Sequence, residues 1–229
     1  MIEQLHAAEL EEFDRGWSAV IEQTPFATLV TALGGLTRLG EHPASLARLA
    51  GILDRSVPET TALIRENTTA RIEDGLIHWD EPFPGEQTRR TLYVGDRTIT
   101  MNSGCAPDLF AYAAVLDVPF RVEETCPATG TLIRVEFVPG GYQRADPPEA
   151  VTLLLALGQV QKVTGGSFDQ VNTTLCSYQP FFASAQAAEA ALAARPGSRA
   201  FTVNEMFERP FVTHYRDNLR PLVHPRART

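Results

Sequence analysis

What most restricts the fold of this chain is a change in the spacing of its apolar residues across Asp80-Glu81-Pro82-Phe83-Pro84-Gly85-Glu86, a stretch dominated by turn formers. Before it, apolar residues recur at helical spacing. After it, short alternating runs are separated by Gly, Asp and Pro. A chain with helices on one side of such a break and hairpins on the other is expected to be α+β, with residues 1–80 as a helical module and residues 81–229 as an α+β core of mostly antiparallel strands with flanking helices.

In the first part, residues 3–22 read as an amphipathic helix and Phe26 to Leu39 as a second, with Gly40 as its left-handed cap. Ser45 to Leu53 and Val57 to Asn67 read as two short helices about the turn Asp54-Arg55-Ser56. Arg71 to Trp79 alternates about Asp74-Gly75 as a hairpin does. Two helices and a hairpin spell a winged helix-turn-helix. In the second part, Thr91–Val94 and Arg97–Met101 form a hairpin, Ala106–Leu116 a helix, and Phe120–Glu124 and Thr131–Val138 two strands. Ala150–Leu157 is open between strand and buried helix. The stretch around Cys176 is expected to begin a strand running into Phe181-Phe182-Ala183-Ser184. Ala185–Ala194 reads as a helix, Phe201–Val203 as a strand, Asn204 as the cap of a last helix reaching toward Leu219, and the tail from Pro221 as loose. Gly34-Gly35, Gly140-Gly141 and Gly165-Gly166 lack a phosphate-loop pattern and read as turns.

Several function classes are disfavoured by composition. The formal net charge is −8, and residues 1–80 carry 13 acidic against 6 basic residues. Nucleic acid and anionic membranes require positive surface. The helix Val57–Asn67, where a DNA reader would place its basic residues, offers Arg65 against Glu59 and Glu66. A metal-responsive DNA-binding regulator is therefore the weakest of the readings. No apolar run approaches the ~20 residues of a membrane span, and the acidic N-terminus leads into no secretory signal, so a cytoplasmic location is expected. Three widely spaced cysteines, Cys105, Cys126 and Cys176, point to reduced thiols rather than a disulfide framework.

Cys105 and Asp108 stand three apart in Gly104-Cys105-Ala106-Pro107-Asp108-Leu109-Phe110, at an expected helix start. Unpaired N–H groups there favour an anion, which should promote the thiolate, and a carboxyl one turn on could carry a proton. On spacing alone the ordinary alternative stands: a buried cysteine that packs and an aspartate that meets the helix dipole.

Together with Cys126-Pro127-Ala128-Thr129-Gly130, Cys176-Ser177-Tyr178-Gln179-Pro180-Phe181-Phe182-Ala183-Ser184 and Asn204-Glu205-Met206-Phe207, that element resembles the alkylmercury (organomercurial) lyase family over roughly residues 26–215. The resemblance implies that Cys105 and Cys176 are mercury-binding thiols, that Asp108 is the proton carrier at the same metal site, and that Cys126 is structural. It implies protonolysis of R–Hg⁺ to R–H and Hg²⁺ with no cofactor required, Hg²⁺ being the bound product that small thiols or a mercuric reductase remove. Gly104 stands where the family has an aromatic residue, and Ser177 and Tyr178 also depart from its pattern. These departures keep open a second reading, in which the same Cys105/Asp108/Cys176 site serves another substrate or holds a soft metal.

Overall fold

Alternation in the second part of the chain builds a five-stranded antiparallel sheet in the computed structural model, which describes residues 2–23, 25–40, 43–79, 90–101, 104–160 and 179–223. Its strands are β4 (Arg90–Val94), β5 (Arg97–Met101), β6 (Phe120–Thr125), β7 (Leu132–Val138) and β8 (Gly141–Asp146), in the order β5-β4-β6-β7-β8. Leu92 and Val94 of β4, Phe120 and Val122 of β6, and Ile133, Val135 and Phe137 of β7 are buried, as period two requires of a sheet with one covered face. That same face of β4 and β6 also carries Arg90 and Glu124, both buried and directly opposed across the strand pair.

Helix α5 (Ala106–Val115) runs against this sheet, with every residue but Asp108 buried. Its alanines allow close approach on several sides. Phe110 supplies the bulk, meeting Phe137 and Phe207 edge-on at 5.3 and 5.1 Å between ring centres. A second sheet, β10-β9-β11, places β9 (Val151–Leu154) between β10 (Phe181–Phe182) and β11 (Arg199–Thr202). Within Ala150–Leu157, open from periodicity, Val151–Leu154 is thus a strand whose four residues are all buried, and Leu157 opens the short helix Leu157–Val160.

The first part of the chain consists of α1 (Ile2–Gln23), α2 (Pro25–Gly35), α3 (Leu46–Ile52), α4 (Val57–Asn67) and a small sheet of β1 (Ala44–Ser45), β3 (Leu76–His78) and β2 (Arg71–Glu73). Phe13, Trp17 and Ile21 line the buried stripe of α1. The Trp17 indole donates to the Leu155 carbonyl at 3.2 Å and meets Phe211 edge-on. Apolar packing is continuous from Phe13 through α5 to Val223. The stretch 80–86, expected to separate two units, lies outside the described residues.

Several expectations are corrected. Helix α2 stops at Gly35 and continues as a π-helical turn, Leu36–Gly40, and Gly40 is not left-handed. Arg97 donates to the carbonyls of Arg38 and Gly40, supplying the donors that a left-handed cap would otherwise bring. Gly34 and Gly35 are not a turn but part of α2, where a Cβ on Gly34 would lie 2.5 Å from the Tyr112 hydroxyl. Their lack of side chains lets α2 approach α5. Strand β8 was not foreseen, because its residues Gly-Tyr-Gln-Arg-Ala-Asp lack apolar alternation at a sheet edge. Thr202, not Asn204, caps the helix Val203–Phe207 through a reciprocal box with Glu205. That helix ends before Pro210 opens a separate one, Pro210–Asn218, since Pro disfavours helical backbone at the residue before it. The tail is not loose at Pro221: Arg220–Val223 is helical and Val223 is buried.

Candidate functional site

Helix α5 begins on a carboxyl that folds back. Asp108, at its third position, accepts the Cys105 N–H through Oδ2 at 2.8 Å, the aspartate counterpart of the Ser-x-x-Glu capping box. The Cys105 thiol also bonds the Asp108 carboxyl. Two of the predicted site residues are therefore in direct contact. Cys105 is buried, while Asp108 keeps partial solvent contact. Burial raises the Asp108 pKa above its ordinary value, against the opposing pull of the Cys105 N–H, the Arg38 charge, the Cys105 thiol and Arg90. A carboxyl held that way keeps its proton to higher pH than a surface aspartate and can hand it on.

Gly104, immediately before Cys105, has φ +83°, in the left-handed region. A Cβ built there would lie 2.6 Å from Met101 Cε and 3.0 Å from Asp108 Oδ2. A larger side chain at this position has no room on this backbone.

Charged and polar groups that sequence reading missed surround the pair. Arg38, in the π-helical turn, donates to the Tyr112 hydroxyl, and its guanidinium carbon lies 5.7 Å from the Trp79 and Tyr112 ring centres. Tyr215 is fully buried, and burial, with the Asp108 and Cys105 charges adding to it, pushes its hydroxyl pKa up, against a hydrogen bond with Thr31. Arg90 pairs with Glu124 at 2.5 Å and donates to the carbonyls of Gly104 at 2.8 Å and Gln179 at 3.3 Å. The Gln179 carbonyl also accepts from Ala106 N–H at 2.9 Å, and Glu124 accepts from Phe181 N–H at 3.3 Å. A signal for the last two was present: alternation sets Arg90 in phase with Leu92 and Val94, and Glu124 with Phe120 and Val122. A charge in an apolar phase marks a buried pair.

Cys176, with Ser177 and Tyr178, lies outside the described residues. Among the described residues no three His, Cys, Asp or Glu side chains are grouped so as to hold a metal ion. Cys126 sits in the turn before β7, its N–H bonded to the Thr131 carbonyl and its own carbonyl to Gly130 N–H. Burial works against its thiolate. Hydrogen bonds from the Thr129 side chain and the Ala183, Ala128 and Thr129 backbones outweigh burial and lower the thiol pKa. Those bonds tie the turn to the segment after β10. Among the described residues no helix is long and apolar enough to cross a membrane.

The sequence model of the alkylmercury lyase family (MerB) matches residues 87–209. Alkylmercury lyases of Bacillus cereus and Clostridium butyricum are each 30% identical over 104 residues, covering 45% of this chain and 44% of theirs. The chain thus spans less than half the length of these two relatives. An alkylmercury lyase of Streptomyces lividans is 23% identical over 174 residues, 73% of each chain. The crystal structure of the mercury-bound form of MerB2 superposes with a TM-score of 0.52 at 13% identity, over 93% of this chain and 99% of that one. At that identity the likeness establishes the fold.

Proposed function

Because the chain belongs to the alkylmercury lyase family, we propose that it cleaves carbon–mercury bonds by protonolysis, converting R–Hg⁺ to R–H and Hg²⁺ with Cys105, Cys176 and Asp108. The observation that carries this reading is the contact between Asp108 and Cys105, in which a carboxyl with a raised pKa bonds the backbone and thiol of a cysteine at a helix N-terminus. Chain length supports the second thiol. Gln179 is bonded to Ala106 N–H and stands three positions after Cys176, about 10 Å of extended chain at most.

The chemistry balances without a cofactor. A thiolate, a soft ligand, captures R–Hg⁺. Asp108 takes the proton of the second thiol as that sulfur binds. Two sulfurs donating to mercury then polarise the Hg–C bond toward carbon. The proton passes from Asp108 to that carbon as the bond breaks, leaving R–H, Hg²⁺ on two thiolates, and an ionised Asp108. External thiols or a mercuric reductase would remove the ion by exchange. We also read residues 44–78 as a winged helix-turn-helix serving as a structural module, supported by the order β1, α3, α4, β2, β3 and by the acidic charge of residues 1–80.

Phenylmercuric acetate with excess thiol should release benzene. Asp108→Asn should bind mercury yet lose turnover by about 10²-fold or more, the scale of a missing proton-transfer group. Mutant turnover equal to wild type would remove Asp108 from the mechanism. No benzene from wild type with titratable thiols would favour soft-metal binding or another substrate.

A further inference from the structure

Beyond the Cys/Asp chemistry, and resting on the reading of Cys105 and Cys176 as a mercury pair, we infer that the buried Arg90–Glu124 ion pair positions the two thiol-bearing stretches relative to each other. Its side chains reach both. Arg90 donates to the carbonyl of Gly104, one residue before Cys105, and to that of Gln179, three residues after Cys176. Glu124 accepts from the N–H of Phe181. The Gln179 carbonyl closes the loop by accepting from Ala106 N–H, the residue after Cys105. Two charged side chains, directly opposed on β4 and β6, thus fasten the chain on both sides of one thiol and downstream of the other.

Stability alone does not account for such a pair. Burying two charges costs desolvation that their attraction only offsets, and well-packed apolar residues in their place are often neutral or stabilising. What apolar residues cannot do is hold carbonyls and an amide in fixed directions. The guanidinium fork can, because its donors diverge in one rigid plane. A dithiolate site benefits directly. Once one sulfur has bound, the second binds at an effective concentration set by how well its position is held, and that advantage disappears when the geometry is lost. Arg90 and Glu124 touch no reacting atom in this scheme; apart from the pull of the Arg90 charge on Asp108, they act through the backbone on either side of the site.

Two full-length variants test this. Arg90→Lys keeps the charge but loses the fork, and Arg90→Met with Glu124→Leu replaces the pair with apolar bulk. Mercuric chloride would be titrated against competing dithiothreitol and followed by the thiolate-to-mercury charge-transfer absorption, with thermal midpoints measured alongside. Folded variants should hold Hg²⁺ about 10²-fold more weakly than wild type, as expected when two-sulfur binding becomes single-sulfur binding. Variants that are as stable as wild type and bind as tightly would overturn the inference. If neither variant folds, amide hydrogen exchange of the wild type decides: Ala106 and Phe181 must be protected like the strand amides of β6, and fast exchange there overturns it. Because Hg²⁺ binding is read apart from benzene release, a wild type that binds mercury through two sulfurs but makes no benzene sinks the lyase reading and leaves the positioning pair standing. Single-sulfur binding by wild type overturns the positioning role.

Discussion

Asp108 must pass through its ionised form in a place where burial makes that charge costly, and that cost is measurable as stability. In the unfolded chain its carboxyl titrates near the ordinary 3.8, while the fold raises the value. Between the two values the folded chain holds more protons than the unfolded one, so stability falls as pH rises through that window. Asparagine has no charge to bury and can still accept the Cys105 N–H. Asp108→Asn is therefore expected to melt higher than wild type at neutral pH, with the gap closing as pH drops to 3.8 and below; thermal melts over that range check it. A second residue-scale expectation concerns Gly104. At φ +83°, with Met101 Cε and Asp108 Oδ2 already within 3.0 Å of a Cβ, Gly104→Ala should cost about 1–2 kcal/mol from backbone conformation alone. It should also depress turnover by displacing the carboxyl, and denaturant midpoints with benzene assays would report both. The contact between Cys105 and Asp108 was legible in the spacing, because a carboxyl one turn on from a cysteine at a helix start lies within its reach; the bond from the Cys105 N–H was not read. Arg38 was not legible, since nothing in Leu36-Thr37-Arg38-Leu39 says that a π-helical turn will bring that arginine inside.

Elements whose signals are local were readable and those with distant partners were not. Ser56, read as the end of a turn, also forms a capping box with Glu59, its N–H donating to Glu59 at 2.9 Å and its hydroxyl accepting from Glu59 N–H at 3.4 Å. Ser56→Ala should cost about 1 kcal/mol. It should leave benzene release unchanged, which separates loss of stability from loss of chemistry; chemical denaturation beside the activity assay tests both halves. The Asp74-Gly75 hairpin was plain, both residues taking the positive φ such a turn demands. Strand β9 is different. Four consecutive buried residues carry no period, and only pairing with β10 and β11, both far along the chain, makes them a strand. Strand β8 has the opposite difficulty: its residues are polar because it lies at an edge, so sequence alone shows no apolar phase there.

At the scale of the whole molecule, α1 lies against elements from the other end of the chain. Asp14 pairs with Arg209 at 3.0 Å and Glu9 with Arg199 at 3.3 Å, while Phe13 lies 6.1 Å from Phe201 between ring centres. Trp17→Ala, which removes the indole from Leu155 and Phe211, should destabilise the protein by about 3–5 kcal/mol, as large core truncations do; equilibrium unfolding measures it. A helical stripe was readable in the sequence, but its docking site was not, because helix periodicity states which face is buried and never against what. That distant seating has a temporal consequence. During synthesis the apolar face of the first helix stays incompletely covered until Phe201 and Phe211, far downstream, have been made. Contacts so remote along the chain also close slowly once both ends exist. Throughout that interval Cys105 and Cys126, both buried in the folded chain, have no finished shell around them.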